Sequence, residues 1–411
     1  MKKIFKNIKE LIQIRSASVS FVAGKGMGVL PTLKNAYLTI EAGKISSFGK
    51  MEECPDGQFD EVIDATDKIL MPTWCDSHTH IVFAGNRENE FIDRIKGASY
   101  KEIAENGGGI LNSAKKLQQT SAEDLYLQSK TRLEEVIQLG TGAVEIKSGY
   151  GLTVEAELKM LKVIKKLGQE YPLPVKSTFL AAHALPSEYK DNKDHFLRLM
   201  IDEVMPVILK DELAAYVDVF CEVGYFTVAD TELMIAAGTK HGLQAKIHVN
   251  QFTAIGGVQA GVKHNARSVD HLEEMRSEDI EVLKNTSTMP VALPSCSFFL
   301  GIPYTPARKM IDDGLPLALA SDYNPGSTPS GNMNFVVSLA CIKMKMTPEE
   351  AINAATLNGA YAMELENEMG SITVGKRANL LLTKAIPSSN FIPYAFGSTI
   401  LDTVYVNGIE Q

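Results

Sequence analysis

Eight short apolar runs alternate with helix-like segments through the middle of this chain, and most of the runs stop where polar chemistry begins. In order they are "KILMPTWCDSHTH", "GAVEIKSGY", "PVKSTFLAAHA", "VDVFCEVGY", "QAKIHVNQF", "ARSVDHLEE", "STMPVALPS" and "LPLALASDYNPG". Nearly continuous apolar strands need cover on both faces, which a parallel sheet wrapped by helices provides. Two of the intervening segments, "AEDLYLQSKTRLEEVIQLG" and "TVEAELKMLKVIKKLGQEY", have clear helical periodicity and end close to a glycine or proline. Eight alternations predict an α/β chain folded as a (β/α)8 TIM barrel. The fifth to seventh units are short, so the count is open by one.

The reactive residues cluster at the ends of these runs. His78 and His80 close the first, Lys147 and Tyr150 follow the second, and His183 ends the third. Glu222, His248, His271 and Asp322 follow the fourth, fifth, sixth and eighth. Active sites in this fold sit at the C-terminal face of the strands. The other three histidines, His195, His241 and His264, fall in helical or loop segments and are expected on the surface. Along a strand, His78 and His80 point to one face. With His248 and Asp322 arriving from other strands, three neutral nitrogens and a carboxylate make a site suited to Zn²⁺ or iron, with room for a water. Such a metal lowers the pKa of bound water toward ~7.

Composition excludes several classes of partner. A net charge of -9 without a long basic run argues against nucleic acid. Five cysteines, widely spaced and without a CxxC, fit reduced thiols in a cytoplasmic protein. Charges interrupt "MKKIFKNIKELIQIRSASVS", so no signal-like apolar region forms, and no stretch approaches ~18 apolar residues, so no membrane span is predicted. A small-molecule substrate is the remaining class of partner.

The HxH pair, a His after the fifth and another after the sixth strand, and the Asp after the eighth resemble the amidohydrolase superfamily. The resemblance implies a small β-sandwich built by the chain ends, residues 1–70 with 365–411, beside a barrel of residues 71–364. The ends are indeed β-rich: "AYLTIEAGKISSFGK" alternates about an Ala42-Gly43 turn, and "GSITVGKRANLLLTK" and "DTVYVNGIEQ" carry turn glycines Gly375 and Gly408. More narrowly, "FAGNRENEF", "GGGI", "EIKSGYGL", "AAHALPSEY", "VFCE", "DHLEEM" and "SDYNPGS" resemble the imidazolonepropionase family, from about residue 70 to the C-terminus. What this implies is hydrolysis of the cyclic amide of 4-imidazolone-5-propanoate to N-formimidoyl-L-glutamate in histidine degradation. It also implies one divalent or trivalent metal ion, Zn or Fe, on His78, His80, His248 and Asp322, in a homodimer. Relatives with two metals use a carboxylated lysine after the fourth strand, and "VDVFCEVGY" has none.

By the same resemblance, Asp322 takes the proton of the attacking water and passes it to the leaving ring nitrogen. His271 stabilises the oxyanion together with the metal. Arg87 can clamp the propanoate bidentately; its bland alternative is an ion pair with Glu88, Glu90 or Asp93. Tyr100, Tyr150 and His183 resemble the family's other substrate contacts, with His183 as a donor. Asn324 is a substrate contact or plain turn chemistry. "NGGGILNSAKKL" reads as a mobile substrate loop, Gly107–Ile110, whose backbone N–H groups could meet an anion. Cys296, in "LPSCSFFL", reads as a buried structural thiol.

One position departs from the family. Gln251 stands where a glutamate is expected three residues after the metal histidine, and an amide accepts no proton at physiological pH. A deaminase would lose its proton shuttle. The ring hydrolase then needs Asp322, with His271, for proton transfer, while Gln251 hydrogen-bonds the ring. The departure keeps one alternative open, a hydrolase of another small carboxylate-bearing cyclic amide or imide. A non-catalytic metal-binding barrel is the rival from another class, and intact His78, His80, His248 and Asp322 argue against it.

Overall fold

The first apolar run is two strands belonging to two different sheets. In a computed structural model describing residues 1–98, 102 and 108–411, β5 (Ile69–Pro72) ends one residue before β6 (Trp74–Thr79) begins. Pro72 has no N–H to continue a ladder. At the junction the Thr73 N–H donates to Asn379 O in one sheet, and the Trp74 N–H donates to Gly140 O at the foot of the other.

The barrel follows from β6. Its strands are β6, β7 (Thr141–Lys147), β8 (Val175–Ala182), β9 (Tyr216–Cys221), β10 (Gln244–Val249), β11 (Ser268–His271), β12 (Met289–Ala292) and β13 (Ala318–Leu319). They are parallel, each beside its neighbour in sequence, and a parallel bridge between Thr79 and Tyr323 closes the ring. The count of eight holds. The late units are compressed: their helices, Gly257–Lys263, Ser277–Leu283 and Pro294–Leu300, have seven residues each.

Alternation along each strand sorts side chains between core and lumen. In β7, Val144 and Ile146 pack in the apolar layer under the helices, while Glu145 and Lys147 join charges inside the ring. In β10, Ile247 and Val249 pack outward, and Lys246 and His248 point in. The two helices read from the sequence form as Ala122–Gln138 and Val154–Glu170. Ser121 Oγ accepts the Asp124 N–H at 3.0 Å and Thr153 Oγ1 the Ala156 N–H at 3.2 Å, caps worth about 1 kcal/mol each. Leu125, Leu133, Val136 and Ile137 form the buried stripe of the first.

Both chain ends build one further sheet. β1 (Lys2–Ile12), β2 (Thr32–Glu41), β3 (Lys44–Lys50), β4 (Glu61–Asp64) and β5 join β14 (Leu380–Thr383), β15 (Leu401–Val406) and β16 (Ile409–Glu410). The β2–β3 hairpin turns at Ala42 and Gly43, both with positive φ (49° and 75°), as a two-residue turn matched to strand twist requires. Phe5, Ile8, Leu38, Leu380 and Tyr405 share its core. Among the described residues no helix is long and apolar enough to cross a membrane.

Candidate active site

Strand order brings the separated histidines together at one mouth of the barrel. His78 Nε2 lies 3.3 Å from His80 Nε2, which lies 3.4 Å from His248 Nε2. Asp322 Oδ1 is 3.6 Å from the Nε2 atoms of both His78 and His80. All four side chains are buried.

The rings are oriented from behind. His78 Nδ1 is 2.7 Å from Asp270 Oδ2, and His248 Nδ1 is 2.9 Å from Asp218 Oδ2. A carboxylate only accepts, so His78 Nδ1 carries the proton and its Nε2 turns a lone pair inward. At His248 the contact is electrostatic and not a hydrogen bond, and the charge of Asp218 beside Nδ1 favours the same tautomer. Burial, then the neighbouring Lys147 and histidines, lowers His78 well below its usual pKa; burial and His183 do the same for His80. Burial takes His248 down to about 4 against the pull of Asp218. Neutral nitrogens 3.3–3.4 Å apart repel one another as they stand. Two nitrogens on metal bonds of about 2.0–2.1 Å in tetrahedral geometry are separated by roughly that distance, so the donor set fits a cation. The groups able to hold a metal include His78, His80 and Asp322 together, and His78 and His248 with His271.

Beneath the histidines lies a layer of charge with no solvent exposure: Glu145, Lys147, Asp218, Lys246 and Asp270. Burial alone would raise Asp218, but His248 and Lys147 outweigh it and hold it far below the carboxylate range. Burial would likewise lower Lys147, but Asp218, Glu145 and Asp270 hold it raised. Each of these charges interrupts or ends an apolar strand run; the motif reading singles out Lys147 and passes over Glu145, Asp218, Lys246 and Asp270, which carry the same signal of an internal partner.

Above the histidines a narrow cleft is lined by His80, Arg87, Tyr150, His183, His248, Gln251, His271, Asp322 and Asn324. Phe220, Phe252, Leu300 and Ser327 also line it; they lie inside strings such as "VFCE" and "SDYNPGS", which single out none of them as site residues. Tyr100 and Gly107 lie outside the described residues.

His271 leans on a carboxylate of its own, its Nδ1 3.3 Å from Glu273 Oε1. Burial would lower its pKa, but Glu273, Asp322 and Asp270 outweigh burial and raise it. Burial pushes Asp322 up to about 6, against His271 and hydrogen bonds from Asn324, Cys296 and Ser327. Both residues have positive φ (89° and 57°), backbone strain of about 1–3 kcal/mol each that the barrel rim maintains.

Several expectations are revised. His183 Nδ1 is 3.1 Å from Gly149 O, which only accepts, and burial lowers this ring's pKa to about 3. A neutral ring donating from Nδ1 leaves Nε2 as an acceptor, so His183 faces the cleft as an acceptor instead of the expected donor. Arg87 lines the cleft and also makes the ion pair foreseen with Glu90, at 2.6 Å. Glu90 accepts the Gly109 N–H at 3.2 Å, so this glycine-rich segment already has its anion, supplied by the chain itself. Asn324 does both things foreseen for it: it lines the cleft, and its Oδ1 accepts the Gly326 and Ser327 N–H groups at 2.8 Å within the turn. Glu222 accepts the Phe252 N–H at 2.9 Å and pairs with Thr253, anchoring the loop that carries Gln251. Cys296 is fully buried as expected, and its Sγ accepts the Gln251 Nε2–H at 3.4 Å. Of the histidines assigned to the surface, His195 is exposed, while His241 and His264 are half-buried.

With this geometry in view, the comparisons with known proteins agree. The family model "Amidohydrolase family" matches residues 69–409. The imidazolonepropionase of Christiangramia forsetii is 65% identical over 408 residues, 99% of each chain. That of Flavobacterium johnsoniae is 64% identical over 408 residues, again 99% of each. That of Alkaliphilus metalliredigens is 39% identical, covering 98% of this chain and 96% of its own. Among solved structures, a triazine hydrolase variant superposes with a TM-score of 0.76 at 14% identity, covering 100% of this chain and 94% of its own. A guanine deaminase from C. acetobutylicum with bound guanine gives 0.71 at 17% identity over 100% of both chains. At such low identity these two speak for the fold alone. The histidine cluster, the closed barrel and the full-length relatives converge: this chain belongs to the amidohydrolase family and, within it, to the imidazolonepropionases.

Proposed function

We propose that this chain hydrolyses the ring amide of 4-imidazolone-5-propanoate to N-formimidoyl-L-glutamate, a step of histidine degradation. The observation that supports the reading is a cleft lined by His80, His248, Asp322 and the buried Arg87, with His78 Nε2 3.3 Å from His80 Nε2 beneath it. The chain's 65% identity to an imidazolonepropionase supports the choice of substrate.

His78, His80, His248 and Asp322 would hold one ion, zinc or iron, and such an ion supplies Lewis-acid polarisation of the ring carbonyl and activation of a water. The residues do the rest. Arg87 receives the propanoate, its fork oriented by Glu90. His183 Nε2 accepts a ring N–H, its tautomer set by Gly149 O. Tyr150, buried beside His80 and His183, packs against the ring. Gln251, with Nε2 on Cys296, offers Oε1 to the ring. As the water oxygen bonds the carbonyl carbon, Asp322 takes the water's proton. His271, whose proton Glu273 favours, donates to the developing oxyanion. The ring C–N bond then breaks, and Asp322 returns its proton to the leaving nitrogen.

We read residues 74–364 as the catalytic barrel and 1–72 with 365–411 as its β-rich companion, since Met71 and Pro72 pair with β14 and move the boundary from residue 70 to Thr73. The five cysteines, all unpaired, support a reducing, cytoplasmic setting. The homodimer rests on the family resemblance.

The test is turnover of imidazolonepropanoate generated from urocanate by urocanase, followed by its ultraviolet absorbance with and without chelator. Metal-dependent loss above the spontaneous rate, abolished in His248→Ala, supports the reading. No loss with metal-loaded protein would turn attention to another carboxylate-bearing cyclic amide.

A further inference from the structure

We propose that Lys147 is a positioning residue that couples two metal-ligand histidines, His78 and His248, into one unit and so sets how tightly the site holds its ion. Lys147 ends strand β7, is fully buried, and is neither a ligand nor a cleft residue. Its Nζ lies 2.9 Å from Asp218 Oδ2 and 3.6 Å from Asp270 Oδ2. Those same two oxygens face the ligand rings: Asp218 Oδ2 faces His248 Nδ1 at 2.9 Å, and Asp270 Oδ2 faces His78 Nδ1 at 2.7 Å. One continuous path therefore runs from ring to carboxylate to ammonium to carboxylate to ring.

The two arms are held unequally. Asp218 is tied to the backbone as well, its Oδ1 accepting the Val219 N–H at 2.7 Å and the His248 N–H at 3.1 Å. Asp270 Oδ1 has no hydrogen-bond partner among the described residues. Asp270 is thus held by His78 and by Lys147. Without the ammonium, two carboxylates face each other in a dry barrel with only the longer-range charge of Lys246 to offset them. Asp270 then keeps the ring that it is supposed to orient as its one close side-chain partner among the described residues. Glu145 contacts both Lys147, at 2.6 Å, and Lys246, so it holds Lys147 in place from the other side.

Outer partners of metal ligands fix the tautomer and ring orientation, and their loss costs about 10- to 100-fold in metal affinity. Because Lys147 serves two such partners, its loss disturbs both rings, and His78 more than His248. The proposal rests on the metal reading of the site, so metal uptake by the unaltered chain is measured alongside.

The experiment measures Zn²⁺ affinity by competition with a chromophoric chelator, and the visible spectrum of the Co²⁺-loaded protein, for K147M, K147R and E145Q/K147M. The double variant removes one charge of each sign, so it separates lost positioning from altered net charge. The expected result is a loss of about 10- to 100-fold in affinity and an altered Co²⁺ spectrum in K147M and in E145Q/K147M. K147R, which keeps the charge, should lose less. Unchanged affinity and spectrum in a folded K147M would overturn the proposal. So would failure of all three variants to fold, which would make Lys147 a folding element only. No metal uptake by the unaltered chain would instead overturn the metal reading, and this proposal with it.

Discussion

The Arg87 guanidinium pairs with the Glu90 carboxylate at 2.6 Å, and that carboxylate also accepts the Gly109 N–H at the start of the helix Gly109–Gln119. The arginine that would greet the substrate's carboxylate is thus already aligned by a negative charge. A Cβ added at Gly326 would lie 2.0 Å from Arg87 Nη1, so the absence of a side chain there leaves the guanidinium its place.

Arg87→Met should lower kcat/KM for imidazolonepropanoate by about 100-fold, mainly through KM, since charge-assisted hydrogen bonds contribute roughly 1.5–3 kcal/mol each. Gly326→Ala keeps the charge but displaces it and should raise KM without unfolding the chain. Steady-state kinetics with thermal melts checks both. A normal KM in the two variants would remove Arg87 from substrate recognition.

Gln251 tests where the proton goes. If it only recognises the ring, Gln251→Ala should raise KM about 10-fold, the worth of roughly one hydrogen bond, and leave kcat within a few-fold. A kcat lower by a thousandfold would place the loop in the proton path instead.

Chelation should abolish turnover, and adding back Zn²⁺ or Fe²⁺ should restore it. His248→Ala removes one of three converging nitrogens and should lose both the bound ion, measured by elemental analysis, and activity. A His248→Ala protein that keeps stoichiometric metal would put the ligand set in question.

Alkali should destabilise the fold through its buried thiols. Burial pushes Cys75 up to about 12, against about 8.5 for a thiol in an unfolded chain. The folded state then holds a proton that the unfolded state gives up, so this contribution is complete below about pH 8.5 and is lost as pH rises toward 12. At pH 10 one such thiol costs about 2 kcal/mol. Denaturant melts of the parent and of Cys75→Ala should therefore converge between pH 8 and 10. Parallel pH dependences would show that Cys75 ionises freely in the fold.

The rhythm of apolar runs and helical segments sufficed for the barrel, because strand and helix periods are local properties of the chain. The two long helices fell where Ser121 and Thr153 can cap them. The boundary at Thr73 was invisible, because "ILMPTWC" is equally apolar on both sides and only the pairing of Pro72 and Trp74 with different partners divides it. The tautomer of His183 was equally hidden, since it depends on a carbonyl 34 positions away in sequence.

Sequence alone determined the kinds of atoms at the barrel mouth: imidazoles, one carboxylate and an arginine, each at the end of a strand or just beyond it. Only tertiary structure decided what each atom can do. Asp218 and Asp270 turn two histidine lone pairs inward, Lys147 stands between those carboxylates, and Glu273 favours the proton on His271. Residue identity is written locally, whereas proton positions and ring orientations follow from partners that closure of the barrel brings within 3–4 Å in a dry interior, where electrostatic and hydrogen-bond terms are strong and water no longer competes.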